Sequence, residues 1–93
     1  VTIGLLQLEL LLPEAHSLKD KRRVIKSLKD RLHGKFNCSV AETGGQELWQ
    51  RCTLAVCIVG GESRHVNSQL SAVVTFIEMN SPAVLADYRI EML

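Results

Sequence analysis

Aromatic residues are scarce, with one Trp, one Tyr and two Phe making 4% of the chain, so a reader of bases by stacking has few rings to work with. Cysteines are few as well. Cys38, Cys52 and Cys57 are odd in number and have no CxxC spacing, which argues against a disulfide framework or a zinc site and suits free thiols in a reducing, cytoplasmic compartment. No apolar run reaches the length of a membrane span, because the longest, Leu5 to Leu12, is interrupted by Gln7 and Glu9. No targeting segment is evident. His16, His33 and His65 lack ligand spacing, and no catalytic motif is recognisable, so no metal, no cofactor and no enzymatic activity are expected.

What the chain does have is one basic island. Ser17 to Lys35 holds eight of the eleven Lys and Arg residues against Asp20 and Asp30, a local charge of +6 in a chain whose total is +1. The remainder is therefore acidic, and an island of that kind commonly faces an anion. At about 100° per residue, Leu18, Val24, Ile25, Leu28 and Leu32 share one arc and predict a helix. Ser17 is its expected N-cap, Asp20 makes a short-armed capping box, and Gly34 is the expected left-handed stop. On the opposite side Lys19, Arg22, Arg23, Lys26 and Lys29 form a ridge of like charges at i,i+3 and i,i+4, each pair costing about 0.2 to 0.5 kcal/mol. A local rule broken this often points to function, and RNA phosphates are the expected ligand. A solvated face that only keeps the domain soluble, or that meets an acidic protein, is the competing reading. Lys21 falls inside the apolar arc, so it has to snorkel or find a carboxylate partner on a neighbouring element; nothing in the spacing picks one out, and Glu42 is named from motif proximity alone.

The rest of the chain reads as a single domain, residues 1–93, able to bury about 60 to 65% of its unfolded surface. Thr2 to Leu12 alternates as a strand. After the basic helix, Phe36, Cys38 and Val40 alternate with Asn37, Ser39 and Ala41 in an edge strand, and the turn-rich Thr43 to Glu47 leads to a central apolar strand, Arg51 to Val59. Gly60 and Gly61 break that strand, Ser63 is placed to cap a second helix running to Asn80, and Val84 to Met92 alternates as a last strand. The order βαββαβ predicts an α+β fold, the ferredoxin-like split βαβ sandwich, with four antiparallel strands and both helices on one face.

The uncovered sheet face would then show Ile3, Leu5, Leu11, Thr53, Ala55, Cys57, Val59 and Leu85, more apolar than an open face should be. A homo-oligomer, a dimer before others, joined through Leu5, Ala55, Cys57 and Leu85 is the expected cover. An RNA-recognition motif shares this fold but stacks bases on central-strand aromatics, where this chain has Thr53, Ala55 and Cys57. Acylphosphatases share it too, yet carry a Gly-rich first loop with an Arg that LPEAHSLKDK does not resemble. The Gly60, Gly61 turn is a weak phosphate cradle with Glu62 beside it, and Trp49 is expected to pack.

The strings Ser17, Leu18, Lys19, Asp20, Lys21, Arg22, Arg23, then Phe36, Asn37, Cys38, Ser39, Val40, Ala41, Glu42, then Leu48, Trp49, Gln50, Arg51 resemble the YlxP-like family of small bacterial proteins over nearly the whole chain. The resemblance implies the ferredoxin-like fold and no established biochemical activity. It also implies, through genes often found beside those of a transcription antitermination factor, translation initiation factor 2 and ribosome-binding factor A, a place near ribosomal RNA or a ribosomal subunit. Gly44 and Gly45 depart from the family, which more often looks acidic there.

Overall fold

A computed structural model describes all 93 residues, in six elements: β1 (Thr2–Leu11), α1 (Leu18–Lys35), β2 (Ser39–Gly44), β3 (Arg51–Gly60), α2 (Ser63–Asn80) and β4 (Val84–Met92). The strands lie in the order β2-β3-β1-β4 with every neighbouring pair antiparallel, which is the ferredoxin-like α+β arrangement. Period-two alternation decides the faces. Leu6, Leu8 and Leu10 of β1 and Cys52, Leu54, Val56 and Ile58 of β3 face a core shared with Ile25, Leu28 and Leu32 of α1 and Val66, Leu70, Val73 and Ile77 of α2. Each of the larger side chains contributes about 1.5 to 3 kcal/mol by leaving water. No helix is long and apolar enough to cross a membrane.

The two helices sit on this sheet differently. α2 approaches the backbones of β1, β3 and β4 closely, whereas α1 stands off on its longer side chains. Gly4 makes the close approach possible, since a Cβ there would lie 2.6 Å from Val66 Cγ1 and 2.7 Å from Leu70 Cδ1. The stand-off of α1 leaves open the space between it and the edge strand β2.

Several local expectations are corrected. α1 runs through Gly34 to Lys35 and ends at Phe36 in an extended conformation, because the Phe36 N–H still reaches Leu32 O at 2.8 Å and no left-handed residue is needed. Gly45 in the β2–β3 turn is the residue with positive φ, at 71°. Residue 62, not Ser63, caps α2; the Ser63 hydroxyl lies beside Thr2 Oγ1. Phe36 is buried as expected, but regular pairing of β2 begins only at Ser39.

The largest correction concerns Leu85. A bulge leaves Ala86 without a partner, so Glu9 pairs with Asp87 while Leu10 pairs with Leu85 and Leu11 with Val84. One extra residue reverses the facing of everything beyond it. Leu85 therefore turns toward the core, against which it packs, and Val84 takes its place on the open face.

Candidate nucleic-acid interface

Ser17 anchors the start of α1. Its hydroxyl accepts the Asp20 N–H at 3.1 Å, and Asp20 Oδ2 in turn accepts the His16 N–H at 3.1 Å, a capping box displaced by one residue. The entry loop is held from the other side by Gln50, whose O accepts from Leu12 N and whose Nε2 donates to the carbonyls of Pro13 and Ala15. Of the motif residues, Ser17 and Gln50 thus fix the helix in place, while half-buried Leu18 and buried Phe36 pack. Asn37, Ser39 and Arg51 are exposed. Trp49 does not pack as expected. It is 52% exposed in the turn before β3, with Leu48 equally so, because the chain there passes outside the rim of the core.

The eight cations of the island separate into distinct environments. Arg31 and Lys35 lie over the Phe76 ring of α2, 5.5 and 5.2 Å from its centroid, so cation–π attraction commits them to the helix pair. Lys26 reaches Asp30 one turn on at 2.9 Å, an exposed pair of the kind usually worth under about 1 kcal/mol. Lys21 is buried. Lys19, Arg22, Arg23 and Lys29 have no carboxylate partner.

The ridge itself divides along two flanks. Arg22, Lys26 and Lys29, together with His33, line a groove of about 480 Å³ between α1 and β2, whose other walls are Lys21, Ile25, Asp30, Glu42 and Gln46. Arg23 points the other way, into a smaller cavity of about 270 Å³ with Glu14, Asp20 and Pro82. Lys19 lines neither. The five residues of the ridge are therefore not one surface, and His33 is a groove residue that charge counting at neutral pH passes over.

At the groove floor the Lys21 side chain, 2% exposed, places Nζ 2.9 Å from Glu42 Oε2 and donates to the carbonyl of Gly45. The expected partner is thus the observed one. Alternation explains it: Glu42 shares the inward parity of Val40, opposite Leu54, so β2 carries one carboxylate on its core side. The positive φ of Gly45 turns the chain tightly there, and a Cβ at that position would press on Arg51 O at 3.3 Å. Glycine at that position therefore has a structural reason. Cys52 borders the same cluster, and burial first, then the Glu42 carboxylate, pushes its thiol up to about 12. Burial also raises Cys38. All three cysteines are free, and no group of three or more His, Cys, Asp or Glu side chains has the geometry of a metal site.

On the uncovered sheet face Leu5 pairs with Cys57, Ile3 with Val59, and Gln7 with Ala55. Leu5, Ala55 and Cys57 are half-buried there, as read from the sequence, and Leu85 is not with them. Beyond them the face turns polar: Thr53 Oγ1 donates to Glu9 Oε1 at 2.8 Å, and Arg89 Nε lies 3.3 Å from Glu91 Oε1.

Comparison with known proteins agrees with the family resemblance. The model of the family described as protein of unknown function (DUF503) matches residues 3–90. The uncharacterized protein YlxP of Bacillus subtilis (strain 168) is 36% identical over 76 residues, which cover 82% of this chain and 83% of that relative. Capped by Ser17, tied down by Gln50 and clamped through Lys21 and Glu42, the chain belongs to the DUF503 family.

Proposed function

We propose that this protein is a non-enzymatic cytoplasmic module that binds the RNA backbone along the α1–β2 groove. The observation that supports this is the convergence of Arg22, Lys26, Lys29 and His33 on one groove. Both carboxylates of that groove already have a lysine beside them, at 2.9 Å in each case, so the field of Arg22 and Lys29 is left uncompensated. The row spans twelve residues from Arg22 to His33, roughly 16 Å along the helix, which suits successive phosphates better than one compact anion. With only Ile25 apolar in the groove, base specificity is not expected. The ribosomal setting implied by the family resemblance makes ribosomal RNA or a ribosomal subunit the first ligand to try.

The test is affinity across a salt series. Each phosphate neutralised on a single strand contributes about −0.7 to the slope of log affinity against log salt, so three groove contacts give roughly −2. The variant Arg22→Gln, Lys26→Gln, Lys29→Gln is expected to remove nearly all of that slope, while Arg23→Gln, on the other flank, changes it by less than about 1. Absence of binding at low salt, or an unchanged slope in the triple variant, overturns the reading in favour of an acidic protein partner.

A second feature is favoured by a separate observation. Ile3 and Val59 are 38% and 61% exposed side by side at the apolar end of the open sheet face. We read that end as the contact between two copies of the chain.

A further inference from the structure

We propose that Trp49 is a stacking platform for one nucleobase at the N-terminal end of the α1–β2 groove, so that the ligand is single-stranded RNA held by its backbone and by one base face; this rests on the backbone-binding reading above. Trp49 and Leu48 are each 52% exposed, side by side in the turn between β2 and β3. An indole left half in water forgoes burial that would have stabilised the fold. The contact read above between two copies does not cover it. Ile3 pairs with Val59 at one end of the β1–β3 ladder and Leu11 with Arg51 at the other, about 27 Å apart along the strand, and Trp49 lies beside Arg51.

The turn that carries Trp49 is tied to the start of α1 at two points. Lys21 Nζ donates to the carbonyl of Gly45, and Gln50 Nε2 donates to the carbonyl of Ala15 at 3.2 Å, just before the Ser17 cap. Between these ties Leu48 N donates to Gly45 O at 3.0 Å and closes the turn. Gln46, next to Gly45, and Arg22, next to Lys21, both line the groove, so Trp49 stands at the Arg22 end of the cation row. Around it Glu47, Leu48, Gln50 and Arg51 line an open recess of about 380 Å³. Arg51 is exposed and has no carboxylate partner. Glu47 in the same recess disfavours a free anion there. What fits is a flat neutral group carried between phosphates, and in a nucleic acid that group is the base. It lies on the indole while its flanking phosphates meet Arg22 and Arg51. Every base has a π-face, so one ring adds affinity without sequence preference, in keeping with a groove whose one apolar residue is Ile25. In a duplex the bases stack on one another, and only an unpaired base is free to reach the ring.

Trp49 is the only tryptophan of the chain, so its fluorescence reports on this site alone. The native protein is titrated at low salt with three ligands of equal length: oligouridylate, the same ribose-phosphate strand without bases, and a blunt duplex of oligouridylate with oligoadenylate. Oligouridylate is expected to quench the indole at saturation and to bind about fivefold or more tighter than the baseless strand, the lower end of what one base–aromatic stack contributes. The baseless strand and the duplex are expected to leave the emission unchanged. In Trp49→Leu, followed by the anisotropy of an end-labelled strand, oligouridylate is expected to fall to the affinity of the baseless strand with the salt slope kept, since Arg22, Lys26 and Lys29 are untouched. Salt-dependent binding of oligouridylate without quenching, or by Trp49→Leu as tightly as by the native protein, overturns this inference, leaves backbone binding standing and gives Leu48 and Trp49 to a protein partner. Equal quenching by the duplex overturns the single-strand assignment. No binding of any ligand at low salt overturns both readings. If Trp49→Leu fails to fold, the three titrations of the native protein decide.

Discussion

Lys21 and Glu42 form an unequal pair. The lysine is sealed and the glutamate is partly open to the groove, so removing either partner strands a charge of different cost. Breaking a buried pair typically costs about 3 to 5 kcal/mol, because one charge is left without compensation. Glu42→Gln strands the ammonium and is expected near that range, whereas Lys21→Met strands a carboxylate that water can reach and is expected to cost less. The double variant should be close to the native protein, since replacing both members of such a pair is often neutral. Urea unfolding of the four proteins measures this, and a larger loss for Lys21→Met than for Glu42→Gln would contradict it. That Lys21 needs a partner was legible in the sequence, because a lysine in an apolar arc is a violation; that the partner is Glu42 followed only from motif proximity.

At the scale of elements, what the sequence foretold was faces, and what it left out was register. The alternation of β1 and β3 assigned their inner residues correctly, and Ser17 marked where α1 begins. A bulge adds a residue without leaving a mark in composition, so the turning inward of Leu85 could be found only from the pairing of Leu10 with it. Gly34 carried a stop signal that a continuing i to i−4 bond overrode. The groove escaped for a similar reason, since it exists because α1 stands off while α2 lies close. That closeness is testable at Gly4, where an added methyl meets Val66 and Leu70, both fully buried. Gly4→Ala is expected to destabilise by about 1 to 3 kcal/mol through overpacking, offset only in part by the stiffer unfolded chain. Adding Val66→Ala should make the pair less destabilising than the sum of the single changes, by thermal or urea melts. Strict additivity would show that α2 does not rest on Gly4.

For the whole molecule, the proposed reading gives the two faces of the sheet different tasks. The helices cover one face, so α1 and its groove point away from the open side, where Ile3, Leu5, Ala55, Cys57 and Val59 form the apolar end. Two copies packed through that end bury the same residues on each, as a two-fold contact requires, and leave both grooves outward. Small side chains at Ala55 and Cys57 permit the approach, and the polar residues Glu9, Asp87, Arg89 and Glu91 fall at the rim, where charges are tolerated. The expected mass at micromolar concentration is twice the 10.3 kDa of the chain. Ala55→Glu, which sets a charge between Gln7 and Ala41 where the apolar end meets the polar residues, should return it to the monomer. Because the grooves lie on the other face, the monomeric variant should keep the salt slope for a short oligonucleotide, yet lose affinity for a long RNA that engages both grooves at once. Light scattering and the two titrations measure this together. A native protein that sediments as a monomer would remove the dimer, and a variant whose slope on the short strand collapses would show that the two faces are not independent.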